Sequence, residues 1–173
     1  SGLSFGDGST DSPMTISIWV NPDFIGGWVV AKRINLGADE YNLNVDPSND
    51  VSFQMWDESA NAYIRMYTTS ELVKAGQWNH VVGTYDGGGL ASGIKCYVNG
   101  VDAGGDEGTS GTYTAMEVTA ANLTVGKLPG HALEWAGGVD DLRIYSTEWT
   151  AAQVQTAFEL SPHYEHVESS SSI

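Results

Sequence analysis

Positive charge is what this sequence has least of. Among 173 residues there are 7 Lys and Arg against 22 Asp and Glu, a formal charge of −15. Such a chain repels phosphate backbones and anionic lipid, which argues against nucleic acid and membrane surfaces as partners. A single cysteine, Cys96, leaves no internal disulfide and no multi-cysteine metal site. No apolar run approaches the ~20 residues a membrane helix needs. The four histidines, His80, His131, His163 and His166, form no His-x-x-x-His pair and no Cys/His set, so a zinc site is not expected. Neither a Gly-x-Ser-x-Gly elbow nor a Gly-rich loop followed by Lys-Ser/Thr occurs. The chain opens on Ser1 without an initiator methionine or a signal-peptide pattern, and is expected to be cut from something longer.

What the sequence does contain is period-2 alternation and turns. Met14, Ile16, Ile18 and Val20 alternate with Thr15, Ser17 and Trp19, which predicts a strand with two unlike faces. Similar runs follow at about 27–33, 41–46, 50–56, 61–67, 78–85, 93–98, 122–126 and 139–145. Between them stand turn clusters such as Asn21-Pro22-Asp23, Asp46-Pro47-Ser48-Asn49-Asp50 and Asp86-Gly87-Gly88-Gly89. Asn99-Gly100 follows the alternating Ile94, Cys96 and Val98 and predicts a type I′ hairpin. Cys96 is then expected to be a small buried hydrophobe. One helix is predicted, with Thr150 as N-cap and Val154 and Phe158 as its apolar pair, stopped by Pro162. The pattern is that of one domain over residues 1–162 and a polar tail or linker over 163–173, with His163 and His166 in the tail. The fold class is all-β, an antiparallel two-sheet sandwich with one short C-terminal helix.

Four stretches in order resemble one family. Trp78-Asn79-His80-Val81-Val82-Gly83-Thr84-Tyr85-Asp86-Gly87 resembles the "W-x-H-V-A-x-T-Y-D-G" strand of laminin-G-like, concanavalin A-like jelly rolls. Ile94-Lys95-Cys96-Tyr97-Val98-Asn99-Gly100 is similar to that family's hairpin. Gly138-Val139-Asp140-Asp141-Leu142-Arg143-Ile144-Tyr145, followed by Thr150-Ala151-Ala152-Gln153-Val154, is similar to its closing strand and helix. Leu3-Ser4-Phe5 and Thr15-Ile16-Ser17-Ile18-Trp19-Val20 resemble its opening strands. The resemblance implies a jelly-roll sandwich of 12 to 14 strands with the chain ends close together. It also implies that Trp19, Trp78 and Tyr85 pack between the sheets and that His80 packs or hydrogen-bonds within one. The opening and the stretch Gly111–Glu117 look most like copies in phage and marine viral structural proteins.

Alternation puts Asp140 on one face with Leu142 and Ile144, and an inward carboxylate must be compensated. Two compensations are open: backbone amides of the first loop, or a calcium ion, a hard cation that takes carboxylate and carbonyl oxygens. In many relatives the first loop lies beside this strand, so the resemblance groups Asp7, Asp11 and Asp140 as a calcium set. No Glu-x-Asp-x-x-Glu string of the jelly-roll glycosidases occurs, and Asp39-Glu40, Asp57-Glu58 and Asp106-Glu107 are adjacent pairs that point to opposite faces in a strand. Trp56, Asp57, Asn61 and Tyr63 on one hairpin, with Trp135 apart from them, are the candidate saccharide-binding residues, each with core or rim packing as the alternative. The reading is a non-catalytic binding module for a glycan, within a larger extracellular or virion protein and with calcium as its cofactor. Assembly with virion or parent-protein domains is also expected; the alternatives are a structural or protein-interaction decoration domain without a sugar site, and a glycoside hydrolase or lyase.

Overall fold

The computed structural model describes residues 2–23, 26–34, 37–69, 71–131, 134–165 and 167. Eleven strands and one α-helix are found among them. In chain order the strands are β1 (Met14–Pro22), β2 (Gly27–Lys32), β3 (Tyr41–Val45), β4 (Val51–Asp57), β5 (Ala62–Tyr67), β6 (Asn79–Tyr85), β7 (Ile94–Val98), β8 (Val101–Asp102), β9 (Asp106–Ser110), β10 (Leu123–Val125) and β11 (Gly137–Tyr145). Helix α1 is Ala151–Glu159. One sheet runs β11-β1-β6-β7-β8 and the other β10-β2-β3-β4-β5-β9, with every pairing antiparallel. This is the expected jelly-roll sandwich. The 12 to 14 strands implied by resemblance become eleven among the described residues, two of them only two and three residues long.

Alternation builds the core. Met14, Ile16, Ile18 and Val20 of β1 face Leu43, Val51, Phe53, Met55 and Ile64 of the opposite sheet in one buried cluster. Gly83 shows why one position in the middle of β6 carries no side chain. A Cβ there would lie 2.6 Å from the Phe53 ring, so the aromatic fills the space between the sheets that an alanine needs. At the β7–β8 hairpin Asn99 and Gly100 have φ of 50° and 81°, as the type I′ turn requires. Cys96 is fully buried, and burial pushes its thiol up to about 12.

A second, smaller layer lies on the other face of the five-stranded sheet. Thr150 caps α1 with a complete capping box, and Val154 and Phe158 face the sheet. Trp19 is buried as expected, but under the helix and not between the sheets: it stacks on Phe158 at 5.7 Å and on His80 at 5.1 Å. The residues after α1 dock here as well. His163 stacks on Trp78 with ring centroids 4.2 Å apart, and Tyr164 packs edge-on against Phe158. His163 and Tyr164 therefore belong to the folded unit, although the sequence places 163–173 in a tail; His166 and residues 168–173 lie outside the described residues.

His80 is 1% exposed, with Nε2 at 2.9 Å from Ser17 Oγ. Burial pushes its imidazole down to about 4; the Asp141 charge opposes this and the Arg143 charge adds to it. A folded pKa below the unfolded value of 6.5 means that the unfolded chain takes the proton first. The stabilisation is complete above about pH 6.5 and drains away as the pH falls toward 4, by about 3 kcal/mol. Urea unfolding across this range should show that loss in the wild type and a smaller one in His80→Gln. Gly83→Ala should destabilise by about 1–3 kcal/mol at neutral pH, read as a lower midpoint in the same titrations.

Candidate functional site

The outer face of the six-stranded sheet follows from the same alternation. In β3, Tyr41, Leu43 and Val45 point into the core, so Asn42 and Asn44 point out. In β4, Val51, Phe53 and Met55 point in, leaving Ser52, Gln54 and Trp56 outside. In β5, Ile64 and Met66 point in and Tyr63, Arg65 and Tyr67 point out. Strand register then arranges the outer residues in rows. One row reads Trp28, Asn44, Ser52, Tyr67 and Asp106 from β2 to β9. The next holds Asn42, Gln54, Arg65 and Gly108, and a third places Trp56 against Tyr63 and Ser110.

The middle of this face is a low floor of amides and a serine with rings around it. Trp56 and Tyr63 lie 5.1 Å apart. Arg33 is set between two indoles, its Cζ 4.6 Å from the Trp56 ring and 5.4 Å from the Trp28 ring. It is fixed there by Asp39 at 2.8 Å and Asn42 at 3.0 Å. Arg65 lies in the same way against Tyr67 and Tyr63. A cleft of about 310 Å³ opens on the face, with Trp28 at one side, Tyr67 and Arg65 at the other, Asn44, Ser52 and Gln54 as its floor, and Asp46 also in its lining. The indole N–H groups of Trp28 and Trp56 are buried without an acceptor.

The predicted binding residues divide. Trp56 and Tyr63 are side by side on this face, and Asn61 is exposed in the β4–β5 turn with φ of 48°. Asp57 is not on the face. Alternation after Trp56 turns it inward, where it is 3% exposed and accepts hydrogen bonds from Ala60 N, Ser59 Oγ and Thr114 N. Trp135 packs against the core beside Gly126, away from the Trp56–Tyr63 pair. Sequence reasoning missed Trp28, Asn42, Asn44, Gln54, Arg65 and Tyr67. Their signal was present as the polar and aromatic outer positions of four strands, β2 to β5.

The proposed calcium set is not assembled. Asp140 is expected to face inward with Leu142 and Ile144, but its side chain is 60% exposed. Between Ser17 and Trp19 of β1 there is one residue; between their partners Arg143 and Asp140 there are two. This bulge, with Asp141 at φ of 49°, reverses the alternation and puts Asp140 on the outer side with Trp19. There it binds His163 Nε2 at 2.9 Å, and that hydrogen bond holds its carboxyl below the usual range. Asp7 is exposed and closes its own turn on Ser9 and Thr10. Asp11 accepts from Tyr85 Oη (2.7 Å), Tyr113 Oη (2.6 Å) and Met116 N (2.8 Å); burial pushes its carboxyl up, and these hydrogen bonds oppose that. Among the described residues no three His, Cys, Asp or Glu side chains converge on one point.

Residues 1–155 match the family described as the concanavalin A-like lectin/glucanases superfamily. The chain belongs to that superfamily. No curated protein matches it in sequence. Solved structures share the fold at low identity. The CBM40 of a Ruminococcus gnavus IT-sialidase, bound to α2,3-sialyllactose, has a TM-score of 0.63 and 13% identity over 87% of this chain and 84% of that one. A Bacteroides ovatus protein described as a carbohydrate binder has a TM-score of 0.60 and 16% identity over 88% of this chain and 42% of that one. Domain 4 of a Geobacillus stearothermophilus extracellular arabinanase, in complex with arabinotriose, has a TM-score of 0.53 and 23% identity over 87% of this chain and 68% of that one.

Two of the three carboxylates in the expected calcium set, Asp11 and Asp140, have separable roles. Asp11→Ala strands two tyrosine hydroxyls and an amide and should cost about 2–4 kcal/mol. Asp140→Ala removes an exposed pair and should change the melting temperature far less, in parallel thermal melts monitored by circular dichroism.

Proposed function

We propose that this superfamily member is a non-catalytic carbohydrate-binding module, set within a larger extracellular or virion-surface protein, that takes a saccharide on the outer face of its six-stranded sheet. The observation that carries the reading is the composition of that face. Rings of Trp28, Trp56, Tyr63 and Tyr67 stand around a floor of Asn42, Asn44, Ser52 and Gln54. Rings offer flat apolar surfaces to the C–H faces of a sugar, and amides and hydroxyls match its hydroxyl groups. Elsewhere on the sandwich the aromatic clusters serve packing, as under α1.

The lining of the cleft supports a non-catalytic reading. A glycoside hydrolase needs two carboxyl groups flanking the scissile bond, and the cleft is lined by one, Asp46, beside amides and a serine. The shared fold with domains solved in complex with arabinotriose and sialyllactose supports a sugar ligand at the level of architecture. The −15 formal charge supports a partner that is neither nucleic acid nor anionic lipid.

A glycan array covering neutral, uronic and sialylated sugars is the direct test. Binding should appear on it, and Trp56→Ala should weaken it roughly tenfold or more in calorimetry while leaving the fold intact. Trp135→Ala should lower stability with the affinity of the folded protein unchanged. An array without any signal would replace this reading with a protein-interaction domain.

A further inference from the structure

Arg65 differs from the other arginines of this chain. Arg33 and Arg143 each have a carboxylate at 2.8 Å, from Asp39 and Asp141. Arg65 has none within ion-pair distance among the described residues, and its buried Nε has no acceptor. With 22 acidic side chains against 7 basic ones, a half-buried cation left without a carboxylate runs against the composition. Ring contacts hold it in place. Its Cζ lies 4.8 Å from the centre of the Tyr67 ring and 5.5 Å from that of Tyr63, and its stem covers Gly108, where a Cβ would meet Nε at 2.6 Å. The guanidinium is thus positioned by stacking, without a carboxylate in ion-pair contact, at the wall of the cleft over Asn44, Ser52 and Gln54.

A planar guanidinium is best complemented by a planar carboxylate, through two parallel hydrogen bonds. We infer that the cleft selects saccharides bearing a carboxylate, with Arg65 as the residue that reads the acid group. The inference rests on the sugar-binding reading above and adds the class of sugar. Asp46 lines the same cleft, with its Oδ1 taken up by the amides of Ser48 and Asp50. Its charge repels an anion, so the bound carboxylate is directed toward Arg65 and away from Asp46.

The test measures calorimetric affinity for an oligogalacturonate and for the same oligosaccharide methyl-esterified, alongside a sulfated and a neutral oligosaccharide. The free acid should bind roughly ten- to a hundredfold more tightly than the ester, as expected for hydrogen bonds to a charged group. Arg65→Gln and Arg65→Met should erase that preference, so that acid and ester bind each variant with affinities within a few fold of one another. Arg65→Lys should keep part of it, and Asp46→Asn should tighten the acid without tightening the ester. The ester comparison uses the unaltered protein, so the outcome does not depend on a variant folding. Equal affinity for acid and ester, or preference for the sulfated sugar, would overturn the inference and leave the binding-module reading standing. Absence of binding to every saccharide would overturn both.

Discussion

Between Gly111 and Asn122 the chain crosses from β9, at one edge of the six-stranded sheet, to β10 at the other, with no ladder of its own. Five strand spacings of ~4.8 Å separate those edges, about 24 Å. Carboxylates anchored elsewhere hold the crossing in place. Asp57 accepts from Thr114 N, Asp11 from Met116 N, and Glu40 from Thr119 N and its hydroxyl. Lys32 binds the same Glu40 oxygen and the Ala121 carbonyl, so even the buried ion pair is tied to this strap. Ala115 and Met116 of this strap are fully buried. Met116 thereby joins the core cluster, and these few acid-to-amide bonds satisfy backbone groups of a segment that has no ladder to do so.

This accounts for part of the acidic excess in a way the sequence did not show. Asp11, Glu40 and Asp57 are separated by up to 46 positions in the chain, and each looks like an ordinary turn or strand-end acid. Their common partner is a stretch without periodicity, 111–122, which the alternation rules pass over. The local features were legible: the β1 pattern, the Asn99-Gly100 turn, the Thr150 cap and the Val154–Phe158 pair all follow from neighbours within a few residues. Asp140 was misplaced because one inserted residue at Asp141 reverses a parity that the sequence carries no mark of. The polar strand β9, Asp106–Ser110, reads as loop because its partner β5 supplies all of its reason to be extended.

The candidate site was half visible for a related reason. Trp56 and Tyr63 are close in sequence and meet across one hairpin, so their pairing could be read directly. Trp28, Asn44 and Tyr67 lie on three different strands, and only strand order brings them to one row. The result is a division of labour between the two charges. Acids stabilise the strap and the turns, whereas Arg33 and Arg65 are seated among rings on the outer face. A strongly anionic protein thus keeps part of its small stock of positive charge on the surface where a ligand would lie.

The sheet borders carry a consequence of their own. β8 and β10 are two and three residues long, β9 opens on Asp106-Glu107, and β11 is broken by its bulge with Asp140, Asp141 and Arg143 along it. None of the four borders offers a long, flat, apolar template to a neighbouring molecule. Copies of such a sandwich can be crowded together, as repeats in one chain or subunits of one particle, without zipping into shared sheets.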